Sequence, residues 1–158
     1  MWIGERRTYF FSRGAKVTGI DISQGLLSMA KEHFPQITFA TGDFRELPFA
    51  DETFDGVWAH AALVHLETVG DVKKSLQEFY RVLKKHGILH VYVKEQRSKE
   101  KTAIVSDQLS QHERFFRYFT EEEMQGYLKE TGFTTKEITI RHSKSRKGLS
   151  WICIFAEK

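Results

Sequence analysis

Residues 37–66, ITFATGDFRELPFADETFDGVWAHAALVHL, decide how the whole chain is to be read. The opening ITFATGD is a β-branched and aromatic run that closes on an acid, Asp43, the composition of a strand ending in a turn. A polar turn containing Pro48 follows, and TFDGVWAHAALVHL then reads as a buried strand running into a loop. Upstream, AKVTGID is another short strand, bounded by Gly14 and closed by Asp21. Between these strands Ser23 is placed to cap a helix, SQGLLSMAKEHF, whose Leu26, Leu27, Ala30 and Phe34 recur at helical spacing before Pro35 ends it. Strand, helix and strand, with an acid at the end of each strand, is the rhythm of an α/β sheet.

The rest of the chain continues that rhythm. Asp71 is expected to cap the helix DVKKSLQEFYRVLKK, with Val72, Leu76, Phe79, Tyr80 and Leu83 on one face and Gly87 in the helix-ending position. ILHVYVKE is a continuous apolar strand of the kind buried on both sides. From Gln96 to Arg117 the periodicity fades into a charged stretch expected to be irregular. Thr120 and Glu123 then form the capping box of the helix TEEEMQGYLKETG. FTTKEITIRH and LSWICIFAEK are two closing strands joined by the basic turn SKSRKG, so they are expected to pair antiparallel. The pattern predicts an α/β protein, a mostly parallel sheet with helices on both faces and a C-terminal antiparallel strand pair, in one domain over residues 1–158.

Composition removes several function classes. With 158 residues, 41% of them hydrophobic, the chain is large enough for one core. The net charge of +3 is too small to imply a nucleic-acid partner, and the basic turn RHSKSRK lacks the interleaved aromatics of a stacking groove. No apolar run approaches the ~20 residues needed to cross a bilayer, so no membrane partner is expected. The single cysteine, Cys153, lies among apolar neighbours in WICIFA, which predicts a buried, inert thiol and a cytoplasmic, reducing setting.

In sheets of this kind ligands bind at the carboxyl ends of strands. Asp21, Asp43 and the Ala59-His60-Ala61 segment share that address. A carboxylate after the first of these strands suits ribose hydroxyls, and one after the next suits an exocyclic amine such as that of adenine, with Phe44 beside the ring. Either acid taken alone also fits an ordinary turn residue.

The segments VTGIDIS (17–23), ITFATGDFRELPFADETFDGVWAHAALVHL (37–66), EFYRVLKKHGILHVYVKE (78–95) and RFFRYFTEEEMQGYLKETGF (114–133) together resemble the class I S-adenosylmethionine-dependent methyltransferases, in their small-molecule branch with a Rossmann-like core. The resemblance implies that Asp21 binds the ribose, Ile22 packs beside the adenine, Asp43 takes the adenine amine and Phe44 lies against the ring. Ala59 and His60 would lie under the methionine part, and His65 stands at the family's usual histidine. The family's Pro-Gly-Gly is replaced here by Lys85-His86-Gly87. Its first motif, a strand and a Gly-x-Gly-x-Gly turn, has only Gly4 at the position of the last glycine, with Trp2 in place of the middle one. The first strand is therefore expected to be missing, which would leave sheet edges open to a homodimer.

The activity the resemblance implies is in-line methyl transfer to a small-molecule acceptor, yielding S-adenosylhomocysteine. His60 and His65 are the candidate bases, and His65 equally fits a packed histidine bonded to backbone. Arg114, Arg117 and Tyr118 are the candidate acceptor-binding residues, and no third ligand joins the histidines for a metal. The alternative is a catalytically inactive, truncated remnant acting as a dimer or partner-binding module. A nicotinamide-dependent dehydrogenase shares the ribose carboxylate but leaves Asp43-Phe44 and the closing strand pair unexplained.

Overall fold

The computed structural model describes residues 12–106, 113–143 and 148–158. The chain divides into two compact units, Met1–Pro48 and Phe49–Lys158. In the first, β1 (Thr18–Asp21) and β2 (Thr38–Thr41) pair in parallel, from Thr18 opposite Thr38 to Asp21 opposite Thr41. The helix between them, α1 (Gln24–His33), starts where the sequence places it, since Ser23 Oγ accepts the N–H of Leu26 at 3.3 Å. Its inner face buries Leu27 and Ala30, and Lys31 and His33 meet the negative end of the helix dipole. Past β2, Gly42 packs closely: a Cβ there would stand 2.7 Å from Ile20 Cδ1 and 3.1 Å from Pro48 Cδ, so the Ile20 side chain would have to shift to admit one. The N–H of Gly42 donates to the carbonyl of Asp21 at 3.1 Å, so the carboxyl ends of the two strands are tied together.

The second unit is built on a four-stranded sheet. Its strands are β3 (Phe54–His60), β4 (Leu83–Lys94), β7 (Thr134–His142) and β8 (Ser150–Glu157), in the order β3-β4-β8-β7. β3 and β4 are parallel, and a crossover carrying a short 3-10 turn (Leu63–His65) and α2 (Val69–Val82) connects them. β8 runs antiparallel to both β4 and β7, as the short basic turn requires. The predicted face of α2 is the buried one: Val72, Leu76 and Phe79 are buried, as is Leu83 just beyond the helix. Tyr80 sits at the margin, edge-on to Phe133 at 5.1 Å. The core is completed by Leu89, Val91 and Val93 of β4, Ile152 and Ile154 of β8, and Met124 and Leu128 of α3 (Glu121–Glu130). Thr120 and Glu123 make both bonds of the capping box that opens α3. Parallel and antiparallel pairs thus coexist in an α/β fold, with the antiparallel strand pair at the C-terminal end.

Three local expectations need correction. Residues 96–117 are not irregular: β5 (Thr102–Ser106) and β6 (Glu113–Arg117) form an antiparallel pair of their own. Each run is only five residues long, and β6 is charged at three of its five positions, so no period-2 signal stands out. Asp71 does not cap α2. Thr68 does, accepting the N–H of Asp71 on Oγ1 at 3.0 Å and donating that hydroxyl to Asp71 Oδ2 at 2.7 Å. Gly87 does not end the helix either, because Leu83 already pairs with Phe54 in the sheet. The Lys84–Gly87 stretch forms a bulge where the register shifts. His86 takes a positive φ of 63°, and a Cβ at Gly87 would lie 2.8 Å from the Lys84 carbonyl.

Candidate cofactor and acceptor site

The first unit carries the nucleoside candidates at the carboxyl ends of β1 and β2. Asp21 closes β1, and its Oδ1 accepts the N–H of Ser23 at 2.8 Å, a short turn that leads directly into the cap of α1. Oδ1 is oriented by that bond, and the second oxygen remains for a diol. Ile22, next in sequence, is 69% exposed, an apolar side chain held in solvent beside a carboxylate. Asp43 follows β2 but is not a bare carboxylate. Arg45 donates through Nε at 3.0 and 2.9 Å and through Nη2 at 2.5 Å, and its backbone N–H adds a bond to Oδ1 at 2.8 Å. A carboxylate offers about four acceptor positions, so an amine at Asp43 would share the group with Arg45. Phe44 is half-buried. Gly4 lies outside the described residues.

This donor and acceptor set fits the nucleoside half of S-adenosylmethionine. An oriented carboxylate can accept from both ribose hydroxyls, an exposed aliphatic side chain can cover an adenine face, and a second acid stands one strand further on.

In the second unit the structure separates residues that the sequence puts side by side. Successive side chains of a strand point to opposite faces. Ala59 is accordingly buried in the core opposite Val91, while His60 stands on the other face. His60 stacks on Tyr92 with ring centroids 4.3 Å apart and planes 6° from parallel, and Tyr92 stacks in turn on Trp151 at 4.8 Å and 7°. One row deeper, Trp58 stacks on His90 at 3.6 Å, and Phe155 lies beyond. His90 is 2% exposed and its Nε2 is 3.4 Å from the buried Sγ of Cys153. Tyr92, Trp151 and Trp58 are the residues that reading the sequence missed. Their signal was the alternation W58-x-H60, H90-x-Y92 and W151-x-C153-x-F155, which becomes a surface only once the register of the strands is known.

His65 belongs to a different packing. It ends the 3-10 turn, and its Nδ1–H donates to the carbonyl of Phe115 in β6 at 3.0 Å, while its ring leans on Phe116 at 4.8 Å. Because a carbonyl only accepts, the proton is on Nδ1 and the lone pair of the neutral ring is on Nε2. Partial burial lowers the pKa of His65 below its ordinary 6.5, opposed by the Phe115 bond and aided by the positive charges of Lys94 and Arg114. Arg117 also turns out to be committed to backbone: Nε donates to the carbonyl of Leu66 at 3.1 Å and Nη2 to that of Glu67. It clamps β6 to the end of the 3-10 turn. Tyr118 donates its backbone N–H to Lys101, and Arg114 is exposed. Among the described residues no group of three His, Cys, Asp or Glu side chains is placed to hold a metal.

Comparison with known proteins bears on both units. A family model described as a methyltransferase domain matches residues 3–91. A demethylmenaquinone methyltransferase of Chlorobaculum parvum is 38% identical over 78 residues, covering 49% of this chain and 31% of that protein. The match thus spans about a third of the length of that curated relative. Among solved structures, a SAM-dependent methyltransferase of Methanosarcina mazei superposes with a TM-score of 0.88 at 19% identity, covering 99% of this chain and 88% of the other. A Burkholderia thailandensis 1,6-didemethyltoxoflavin-N1-methyltransferase, solved with 1,6-didemethyltoxoflavin and S-adenosylhomocysteine, gives 0.76 at 23% identity, covering 99% and 67%. A family match over more than half of the residues, on a fold shared with these structures, establishes that the chain belongs to the class I S-adenosylmethionine-dependent methyltransferases.

Proposed function

We propose that this protein transfers a methyl group from S-adenosylmethionine to a small-molecule acceptor, and that residues 1–158 work as one methyltransferase domain. The observation that carries the reading is the pairing of the oriented Asp21 carboxylate with the solvent-held Ile22 at the end of β1. Asp21 would hold the ribose hydroxyls, Ile22 would cover the adenine, and Asp43 would share its carboxylate between Arg45 and the adenine amine. When bound, the cofactor supplies an electrophilic methyl group on a sulfonium, so the protein's task is mainly to position the acceptor for in-line attack.

Where the acceptor carries a proton, His65 is the better of the two candidate bases. Its Nδ1–H is fixed by the Phe115 carbonyl, its Nε2 has the lone pair, and its lowered pKa keeps the ring neutral near pH 7. His60 is engaged through its ring face with Tyr92, which suits binding more than proton transfer. The acceptor is a small molecule on this reading, as the names of similar proteins also indicate for them. A reducing cytoplasm suits the one free, buried cysteine, and among the described residues no helix is long and apolar enough to cross a membrane.

Calorimetric titration with S-adenosylhomocysteine tests the proposal. Micromolar binding that Asp21→Ala removes is the expected result. A folded protein that shows no heat of binding would sink it and favour the non-catalytic reading.

A further inference from the structure

The ribbon of β5 and β6 has an outer edge unlike the other strand edges of the second unit. Among the described residues, the four-stranded sheet ends in β3 on one side and in β7 on the other. β3 carries Asp55, with a register shift between Phe54 and Gly56. β7 carries Lys136, Glu137 and Arg141, with a register shift between Thr135 and Glu137. Charges and irregular register on outer strands discourage pairing with another chain. β5, TAIVS over residues 102–106, has neither: it holds no charge and no proline, and its register with β6 is unbroken. Nor is it covered. Ile104 is 68% and Val105 44% exposed, and among the described residues the sheet of β5 and β6 holds no third strand.

The direction of the backbone groups on that edge follows from the ladder. In an antiparallel pair, each residue turns both its N–H and its C=O either toward the partner strand or away from it, in alternation. The N–H of Tyr118 donates to the carbonyl of Lys101 at 2.8 Å, so that pair faces inward, and Ala103–Phe116 and Val105–Arg114 follow it in register. The Phe115 carbonyl accepts from His65 at 3.0 Å and so points away from β5, as the alternation requires. Thr102, Ile104 and Ser106 therefore present their N–H and C=O groups at the open edge.

The side chains of β5 are self-complementary as well. Turned antiparallel about Ile104, a second copy of the strand sets each Ile104 opposite its counterpart, Ala103 opposite Val105 and Thr102 opposite Ser106. The three outward-facing residues then exchange both backbone bonds with the residues they face. Hydroxyl meets hydroxyl, apolar meets apolar, and no charge meets its like. Phe115 is the register partner of Ile104, so Phe115, Ile104 and their two counterparts form one apolar row across four strands. We propose that β5 is a homodimerisation edge, at which two copies of this chain pair antiparallel about Ile104 into a β6-β5-β5-β6 sheet. A two-fold contact of this kind uses the same patch on both copies and closes on itself. Self-pairing at β5 does not depend on the methyltransferase reading. It bears on the site because β6 supplies the carbonyl that fixes His65, and a paired β5 braces β6 from its other side.

Sedimentation equilibrium of the full chain, at concentrations up to about 1 mM, tests the proposal, since so short a strand places the contact among the weak interfaces. The apparent mass is expected to climb with concentration toward twice that of one chain. Ile104→Lys and Ile104→Glu, each a change at an exposed side chain, should each weaken association roughly tenfold or more, because like charges then face one another. Ile140→Lys, at a side chain of β7 that is 41% exposed, should leave association unchanged. Equal parts of the Ile104→Lys and Ile104→Glu proteins should recover it, because this register places position 104 opposite itself. A wild-type chain that stays monomeric throughout overturns the proposal, as does undiminished association of either position-104 variant with a normal urea midpoint. A mixture that stays monomeric overturns the pairing about Ile104. Equal weakening by Ile140→Lys overturns it too, since the contact would then lie on β7.

Discussion

The β1–β2 unit and the β3-β4-β8-β7 sheet both present the carboxyl ends of a parallel strand pair, and they present different chemistry there. At β1 and β2 the groups are the half-buried Asp21, the exposed Ile22 and the half-buried Asp43–Arg45 pair, hydrogen-bonding side chains with one apolar side chain among them. At β3 and β4 they are stacked rings backed by a strand, β8, that arrives from the far end of the chain. The first offers directional hydrogen-bonding groups, whereas at the second the rings are turned face to face and spend their flat sides on one another.

That contrast can be broken by substitution. The largest effect is expected from Leu76→Ala, which empties a fully buried site under β4. It should lower unfolding free energy by about 2–5 kcal/mol, read from urea denaturation. Asp21→Ala should instead leave the urea midpoint nearly unchanged. It should weaken S-adenosylhomocysteine by about 1.5–3 kcal/mol for each charged hydrogen bond lost, and a variant that binds the nucleoside normally would remove Asp21 from the site. Thr120→Ala deletes the cap of α3 and should cost about 1 kcal/mol of stability, with no change in S-adenosylhomocysteine binding. This serves as the control for non-specific loosening.

The smallest effect concerns His65. Its folded pKa is below 6.5 because burial, Lys94 and Arg114 disfavour the charged ring. As pH falls through 6.5 the unfolded chain takes up this proton first, so stability is greater with the ring neutral and declines on acidification. His65→Asn should remove that part of the slope between pH 7 and 5 in thermal melts. An unchanged slope would mean that other groups account for it.

Much of this was legible in the chain itself, for reasons that differ by element. Ser23, Thr120 and Glu123 act through bonds to backbone groups a few residues away, so their capping roles follow from local spacing alone. The apolar face of α2 follows from helical periodicity, and the antiparallel β7–β8 pair from the shortness of the turn. The acids after β1 and β2 are equally local, since a strand's last residues are set by the turn that stops it. Asp43 shows the limit: its bond to Arg45 spans only two positions, yet residue type alone does not reveal that its oxygens are already engaged.

What tertiary structure alone decided depends on partners distant in the chain. Arg117, a candidate acceptor contact, is also found to donate to the carbonyls of Leu66 and Glu67, about fifty residues away. His65 acquires its tautomer from Phe115, and Ala59 and His60 part company because the pleat sends them to opposite faces. The His60–Tyr92–Trp151 stack draws on three strands brought into register by a parallel crossover and an antiparallel return. The sequence determined the helices, every strand but β5 and β6, the acids and the family resemblance, since these rest on short-range spacing and residue type. Which rings meet, which cations are spent on backbone and which histidine keeps a lone pair are consequences of register and packing, and no local pattern in the chain encodes them.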